Sequence, residues 1–152
     1  MVGDEFYSTP FFESPANEVN PVFSPDGHYL AYETNESGKA EVVIVPFPSR
    51  AGKWQISSGG GGNPIWSPSG KEIYFTKGSS IFSVSIHPGD VFDYSAPKKA
   101  LDLPPDGAFL TGISPDGTKF ALVTLPFKEL STSEFTLVTN WFHELKNTFA
   151  TK

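Results

Sequence analysis

Apolar residues along this chain occur in short runs that alternate with polar residues, and many of these runs adjoin a turn-forming sequence. In residues 81–86, Ile-Phe-Ser-Val-Ser-Ile, apolar side chains fall largely at alternate positions, as expected of a β-strand with one buried face. Other apolar residues lie just before and just after a Ser-Pro-x-Gly tetrapeptide. Proline fixes φ at the second turn position and glycine accepts positive φ at the last, so each such unit predicts a β-hairpin.

Three copies of this turn organise the chain, at residues 24–27 (Ser-Pro-Asp-Gly), 67–70 (Ser-Pro-Ser-Gly) and 114–117 (Ser-Pro-Asp-Gly). The starts of the three copies are 43 and 47 residues apart. Repeats of about 40–50 residues built from short strands are typical of β-propeller blades. The sequence therefore predicts an all-β protein with about three four-stranded blades, half of a six-bladed ring, in a single partial propeller domain over residues 1–152.

Each predicted blade continues beyond its hairpin with a third strand, an outer strand and a link. The third-strand candidates are residues 41–47, 80–86 and 134–139, and the outer-strand candidates are residues 53–57 and 99–103. We expect blade 1 at residues 20–58, blade 2 at 63–103 and blade 3 at 108–140. The tetraglycine at 59–62 indicates a flexible link between blades, because Asn-Pro and a strand follow it instead of the Lys and helix of a phosphate-binding loop.

The two ends of the chain depart from the repeat. Residues 5–14, which include Pro10, Phe11 and Phe12, have the character of an outer strand from a preceding blade, whereas the last blade has none. Asn140 is a candidate N-cap for a short C-terminal helix at 141–149. Because exposed edge strands favour pairing, we expect a homodimer that closes the six-bladed ring, with Pro10, Phe11 and Phe12 as the exchanged interface strand. The alternative is that the missing blades belong to a longer chain.

Composition narrows the function classes. The chain has a net charge of −6 and no cysteine. A shortage of basic residues argues against nucleic-acid binding, and the lack of cysteine excludes disulfides and cysteine-bound zinc. No apolar run approaches the ~18 residues of a membrane span, and the acidic start of the chain lacks the apolar core of a signal peptide. We expect neither nucleic acid nor membrane insertion, and the compartment stays open.

Few residues qualify as candidates for catalysis or metal binding. Asp26 and Asp116 lie in the repeated turns without the further oxygen ligands that calcium needs, which favours a role in turn geometry. His28, His87 and His143 are scattered without zinc-ligand spacing, and no Gly-x-Ser-x-Gly elbow occurs. We therefore expect no catalytic residue, no metal site and no cofactor.

Two sets of equivalent positions in the repeat are candidates for contacts. Asn20 and Asn63 precede the apolar part of the inner strands, where they would contact a ligand at the channel mouth or cap backbone groups. Phe23, Trp66 and Ile113 each stand directly before a turn. Large apolar side chains dominate the interfaces between blades, so we expect this second set to pack there.

The segments around the turns resemble a known family. They are Asn-Pro at 20–21, Asn-Glu-Ser-Gly at 35–38, Pro-Phe-Pro at 46–48, Lys-Trp-Gln-Ile-Ser at 53–57 and Asn-Trp-Phe at 140–142. This series resembles TolB-type, WD-repeat-like β-propellers, above all the C-terminal propellers attached to bacterial serine/threonine protein kinases. The resemblance runs from about residue 10 to residue 146. It implies the final half of a six-bladed propeller that binds proteins or ligands, often on the outer side of a bacterial membrane.

The expected function is a non-catalytic binding or assembly module for a protein or peptide partner. One alternative is a regulatory or gating domain of a larger enzyme, either a kinase or a serine peptidase. Kinase activity itself is not implied, because the chain has none of the kinase motifs. Another alternative, hydrolysis within the channel, requires converging carboxylates or histidines, which the scattered positions do not predict.

Overall fold

The computed structural model describes residues 9–87, 91–105, 107–124 and 134–138, and these form three antiparallel sheets. The first sheet contains β1 (Glu18–Phe23), β2 (Tyr29–Thr34), β3 (Glu41–Pro46) and β4 (Trp54–Gln55). The second contains β5 (Gly62–Trp66), β6 (Glu72–Lys77), β7 (Ser80–His87), β8 (Asp93–Tyr94) and β9 (Lys98–Asp102). The third contains β10 (Ala108–Ile113), β11 (Phe120–Thr124) and β12 (Glu134–Val138). Among the described residues, no helix has the length and apolar character that crossing a membrane requires.

The repeated turns join the first two strands of each sheet, as the sequence predicted. In the first copy the Gly27 amide donates to the Ser24 carbonyl at 2.9 Å, and Gly27 has a φ of 73°. The Ser24 hydroxyl also accepts a hydrogen bond from the Tyr29 amide at 2.9 Å. Ser67 and Ser114 accept the equivalent bonds in the other two turns. Serine therefore fastens the start of each second strand to its turn.

Consecutive sheets pack face to face, and their inner strands β1, β5 and β10 lie next to one another. One apolar cluster joins the first sheet to the second and includes Ala31, Ile44, Trp66 and Phe75. Another joins the second sheet to the third and includes Tyr74, Phe120 and Leu122. Sheets that succeed one another around their innermost strands are the blades of a β-propeller, so the predicted fold class is confirmed.

The structure differs from the expected strands in three places. A short strand, β8, pairs with the end of β7, while β9 pairs with its beginning, because the eight residues of β7 offer an edge long enough for both. The outer strand of the first sheet is only Trp54–Gln55. Of the outer strand expected at residues 5–14, residues 5–8 lie outside the described residues, and residues 9–14 form no strand. The expected helix at 141–149 and its cap Asn140 lie outside the described residues.

Candidate functional site

The carboxylates of the turns are occupied by local hydrogen bonds. Asp26 Oδ1 accepts hydrogen bonds from the Ser24 hydroxyl and from the His28 amide, the latter at 3.0 Å. Asp116 repeats this arrangement in the third turn. The hydrogen bond from Ser24, followed by that from the His28 amide, holds the pKa of Asp26 below its usual value. Asp26 and Asp116 therefore stabilise turns, as the sequence predicted.

Two of the three histidines, His28 and His87, lie within the described residues. His28 is exposed and lies beside Asp26, with 3.4 Å between Nδ1 and Oδ2. His87 is exposed at the end of β7, and His143 lies outside the described residues. Within the ranges that the structure describes, no group of three or more His, Cys, Asp or Glu side chains is placed to hold a metal ion.

The two candidate asparagines occupy matching β-bulges. Asn20 and Asn63 both have a φ of 54°, and each forms part of a register shift against the neighbouring strand. Asparagine tolerates this left-handed conformation better than most residues, which explains its recurrence before proline. The sequence signal was the repeated Asn-Pro pair, but the bulge itself was not predicted.

One carboxylate links these two bulges. Glu33 Oε2 accepts a hydrogen bond from Asn20 Nδ2 at 3.2 Å and another from the Asn63 amide at 3.3 Å. A Cβ atom on Gly62 would lie 2.5 Å from the same oxygen, so glycine is needed for this close approach. Sequence reasoning missed Glu33, because nothing in the repeat marks a residue that contacts the next blade. A ligand contact at Asn20 or Asn63 stays a prediction.

A buried carboxylate orders the tetraglycine link that the sequence suggested to be flexible. Glu41 is buried, and it accepts hydrogen bonds from the Ser57 hydroxyl and from the Gly60 amide, the latter at 2.8 Å. The Gly61 amide donates to the Ala40 carbonyl at 2.9 Å. A Cβ atom on Gly61 would lie only 2.6 Å from Ser57 Cβ. The glycines therefore serve close packing and backbone hydrogen bonding.

The most distinctive surface lies on the first sheet. We call it the head face, and it is the side of β2 and β3 that points away from the second sheet. Its apolar floor consists of Leu30, Tyr32, Val43 and Val45, packed against Phe11 and Phe12. The Phe12 ring lies 4.8 Å from the Tyr32 ring, and the Arg50 guanidinium lies 4.4 Å above the Phe11 ring.

The cover that Phe11 and Phe12 give to the head face is incomplete. A cleft of about 200 Å³ lies between their rings and the sheet, and Glu18 and Pro21 form part of its wall. Pro10 is exposed. Two of the three predicted interface residues, Phe11 and Phe12, therefore lie on their own first sheet in this structure. An exchange of this segment between copies stays a prediction.

A second part of the head face is exposed to solvent. Phe23 is 51% exposed, and its ring lies 4.8 Å from that of Phe47, which is also exposed. The equivalent Trp66 is only 6% exposed, and its Nε1 donates to the Val22 carbonyl of the preceding sheet at 3.3 Å. Ile113 packs against the cluster of the second and third sheets. The prediction of packing between blades is thus confirmed for Trp66 and Ile113. For Phe23 it stays a prediction, because no described sheet of this chain covers the head face.

The turns show the same difference. A Cβ atom on Gly70 would lie 3.5 Å from Pro25 Cδ of the preceding turn, and one on Gly117 would lie 3.8 Å from Pro68 Cδ. Each turn therefore rests on the proline of the turn before it. Gly27 has no such neighbour within 4 Å among the described atoms.

Comparison with known proteins supports the fold through a partial sequence match and through solved structures. No protein-family model matches the chain. A stretch of 48 residues is 46% identical to the Tol-Pal system protein TolB of Sodalis glossinidius, and it represents 32% of this chain and 11% of that protein. A solved TolB structure from Agrobacterium tumefaciens has a TM-score of 0.62 and 20% identity over 84% of this chain.

An oligogalacturonate lyase from Vibrio parahaemolyticus has a related structure, with a TM-score of 0.54 and 13% identity over 80% of this chain. The matches cover 47% of the Agrobacterium protein and 34% of the lyase, so the chain spans less than half the length of either. The chain therefore has a TolB-like propeller fold.

Proposed function

We propose that the chain is a non-catalytic β-propeller module that binds other proteins and that assembles through its head face. The observation that carries this proposal is the exposure of Phe23, since the equivalent Trp66 is buried against a neighbouring sheet. Contiguous exposed aromatic side chains on a soluble protein are typical of a protein contact. The exposed Phe23 and Phe47 form such a patch, and the half-buried Phe11 adjoins Phe47.

Further blades are the partners that suit this surface. Phe12 packs on the first sheet much as Ile56 packs on the second and Leu103 on the third, and each of the latter two follows an outer strand. This likeness supports the proposal that residues 10–12 are the end of an outer strand of a preceding blade. We propose that these residues complete a blade supplied by a second copy and so help to close a six-bladed ring.

The comparisons support this proposal. The chain matches less than half of a TolB structure, as expected for three blades of a larger ring. The curated relative is named as a protein of the Tol-Pal system, and a role for this chain alongside other proteins agrees with that name.

A second candidate is a regulatory or gating domain of a larger enzyme, in which the same polypeptide supplies the other blades. The kinase-attached propellers noted from the sequence are one form of this arrangement, and a serine peptidase gate is another. The observation in its favour is again the partial coverage of longer propeller proteins, one of which is a lyase. Both candidates require the head face to be covered.

Sedimentation velocity over a range of concentrations tests the proposal. We expect the wild-type chain to associate, and we expect Phe23→Ser to weaken association by about thirtyfold or more, the size of a central interface residue. Val91→Ser is the matched control, because Val91 is 80% exposed and lies outside the head face. Unchanged association of Phe23→Ser would contradict the proposed role of the head face. A wild-type chain that stays monomeric would contradict assembly between copies and favour the longer polypeptide.

A further inference from the structure

We propose that the third sheet of a second copy occupies the head face, so that two copies join head to tail and Phe23 of one packs on Gly112 and Ala121 of the other. This inference rests on the proposed assembly function and identifies the partner surface. We call that surface the tail face. It is the side of β10 and β11 opposite to the buried Phe120 and Leu122.

The sizes of the side chains at the two observed junctions are complementary. Ala31, Tyr74 and Ala121 share one repeat position, four residues after the glycine of each turn. At the first junction the large Trp66 belongs to the same cluster as the small Ala31. At the second the smaller Ile113 packs in the cluster of the large Tyr74. A large Phe23 with a small Ala121 continues this pattern.

Among the described residues, the tail face carries little side-chain volume around Gly112. Gly112 is paired with Ala121 across the two strands. A Cβ atom on Gly112 would meet only the Cβ of Ala121, at 3.8 Å, among the described atoms. Gly112 stands where the first two blades have Val22 and Ile65, so the floor under an incoming side chain is lower here than in either.

Exposed apolar residues also occur on the third sheet. Phe109 is 52% exposed and pairs with Val123, which alternates along β11 with the buried Leu122. Paired residues of an antiparallel sheet share a face. Phe109 therefore adds exposed apolar area to the tail face beside Gly112 and Ala121. Phe47 does the same on the head face beside Phe23.

The turns indicate independently how the two copies would be aligned at this contact. Pro25 lies against Gly70, and Pro68 lies against Gly117. In this series, Pro115 of the last turn has no described turn after it, and Gly27 of the first turn has no described turn before it. A head-to-tail contact that keeps this spacing brings Pro115 of one copy to Gly27 of the other. The contact is then made twice about a two-fold axis, which closes a discrete dimer of six blades instead of an open filament.

A size exchange tests the inference. Ala121→Tyr should raise the dimer dissociation constant by about tenfold or more, because two large residues would then meet. Phe23→Ile combined with Ala121→Tyr copies the Ile113 and Tyr74 pair of the second junction, and it should restore association. Far-UV circular dichroism checks that each variant is folded.

The outcomes separate this inference from the proposed function. If Phe23→Ser abolishes association while Ala121→Tyr leaves it unchanged, the head face is an interface but the tail face is not its partner. A folded double variant that fails to regain association also overturns the inference. If Phe23→Ser leaves association unchanged, the proposed assembly through the head face is contradicted, and the inference that rests on it falls as well.

Cysteine cross-linking provides a second test, since the chain has no cysteine of its own. Asp26 and Lys71 line one cleft between the first and second sheets. Their equivalents at the proposed contact are Asp116 of one copy and His28 of the other. Mixing His28→Cys with Asp116→Cys and a short bismaleimide should give a covalent dimer. Asp26→Cys/Lys71→Cys is the positive control and should react within one chain. Val91→Cys mixed with Asp116→Cys is the negative control, and a yield no higher than this mixture gives contradicts the inference.

Discussion

The two faces of the first sheet are built from the same strands and have similar apolar side chains, but their surroundings differ. Ala31, Val42 and Ile44 point toward the second sheet and are fully buried there. Leu30, Tyr32 and Val43 alternate with them and rely on Phe11 and Phe12 for cover. A strand that is apolar on both faces indicates a central layer. The head face therefore has the composition of an inner surface, although no described sheet lies over it.

The faces also differ in directional contacts. The closed junction is fixed by hydrogen bonds from Trp66 Nε1 to the Val22 carbonyl and from the Asn63 amide to Glu33. The Tyr94 hydroxyl adds a bond to the Gln55 carbonyl at 3.2 Å. On the head face, the Arg50 guanidinium lies above the Phe11 ring and the Lys53 ammonium lies near the Tyr32 hydroxyl, and both cations belong to the first sheet's own loop. The closed junction is therefore distinguished by hydrogen bonds that run between two sheets.

The largest expected difference is in the free energy of unfolding after substitution of Trp66 at the closed junction and of the equivalent Phe23 on the head face. Trp66→Ala should lower the free energy of unfolding by about 3–5 kcal/mol, because it removes a buried ring from the closed junction. Phe23→Ala should lower the free energy of unfolding by less than about 1 kcal/mol. This holds when it is measured at a protein concentration too low for the chain to associate. Urea unfolding followed by circular dichroism measures both. Equal losses would show that Phe23 is buried in the single chain.

Removal of the cover from the head face should have an intermediate effect. Phe12→Ala should cost about 1–2 kcal/mol, because the ring is only half buried against Tyr32. Amide hydrogen exchange in β2 and β3 should become faster in the same variant. Phe109→Ala is the control, since its ring lies on the third sheet. Unchanged exchange after Phe12→Ala would mean that these rings do not protect the first sheet.

Loss of the carboxylate that links the first two blades tests the polar part of the comparison. Glu33→Ala should cost about 1 kcal/mol, because Asn20 and the Asn63 amide both lose an acceptor. Glu36→Ala removes an exposed carboxylate paired with Lys53 and should cost less than about 0.5 kcal/mol. Chemical denaturation of the two variants side by side checks the difference. A smaller loss for Glu33→Ala than for Glu36→Ala would show that the link contributes nothing.

The smallest expected effect is the pH dependence of stability that the turn carboxylates contribute, which is independent of the junctions between sheets. Hydrogen bonds to Asp26 and Asp116 lower the pKa of both carboxyls below 3.8, the ordinary value. Their contribution to stability is therefore present above about pH 4 and is lost as the pH falls through the lowered pKa values. The stability difference between the wild type and Asp26→Asn/Asp116→Asn should shrink on acidification from pH 5 to about pH 2. Urea midpoints across this range measure it, and a constant difference would contradict the assignment.

Much of the fold was predictable because hairpins depend on nearby residues. Apolar alternation predicted β7, and apolar runs directly after the turns predicted β2 and β6. Proline and glycine marked the turns between strands. Strands of two residues, such as β4 and β8, carry no measurable period and were missed or overextended. The bulges at Asn20 and Asn63 were hidden because a bulge is defined by the partner strand.

The candidate site was less predictable, for a related reason. Asp26 and Asp116 act within a few residues of themselves, and their roles in the turns followed from the motif. Glu33 acts on Asn63 thirty residues away, and no local pattern identifies such a partner. Phe23 has the same repeat position as Trp66, so the sequence assigned both to the same environment.

Local chemistry written in the chain determined the repeat, the turns and the alternation of buried positions, because each depends on residues close to one another. Only the tertiary structure decided which apolar face is covered, since burial depends on the sheet that lies opposite. The sequence makes both sides of the first sheet apolar. The packing of the sheets buries one side against the second sheet and leaves Phe23 on the other exposed.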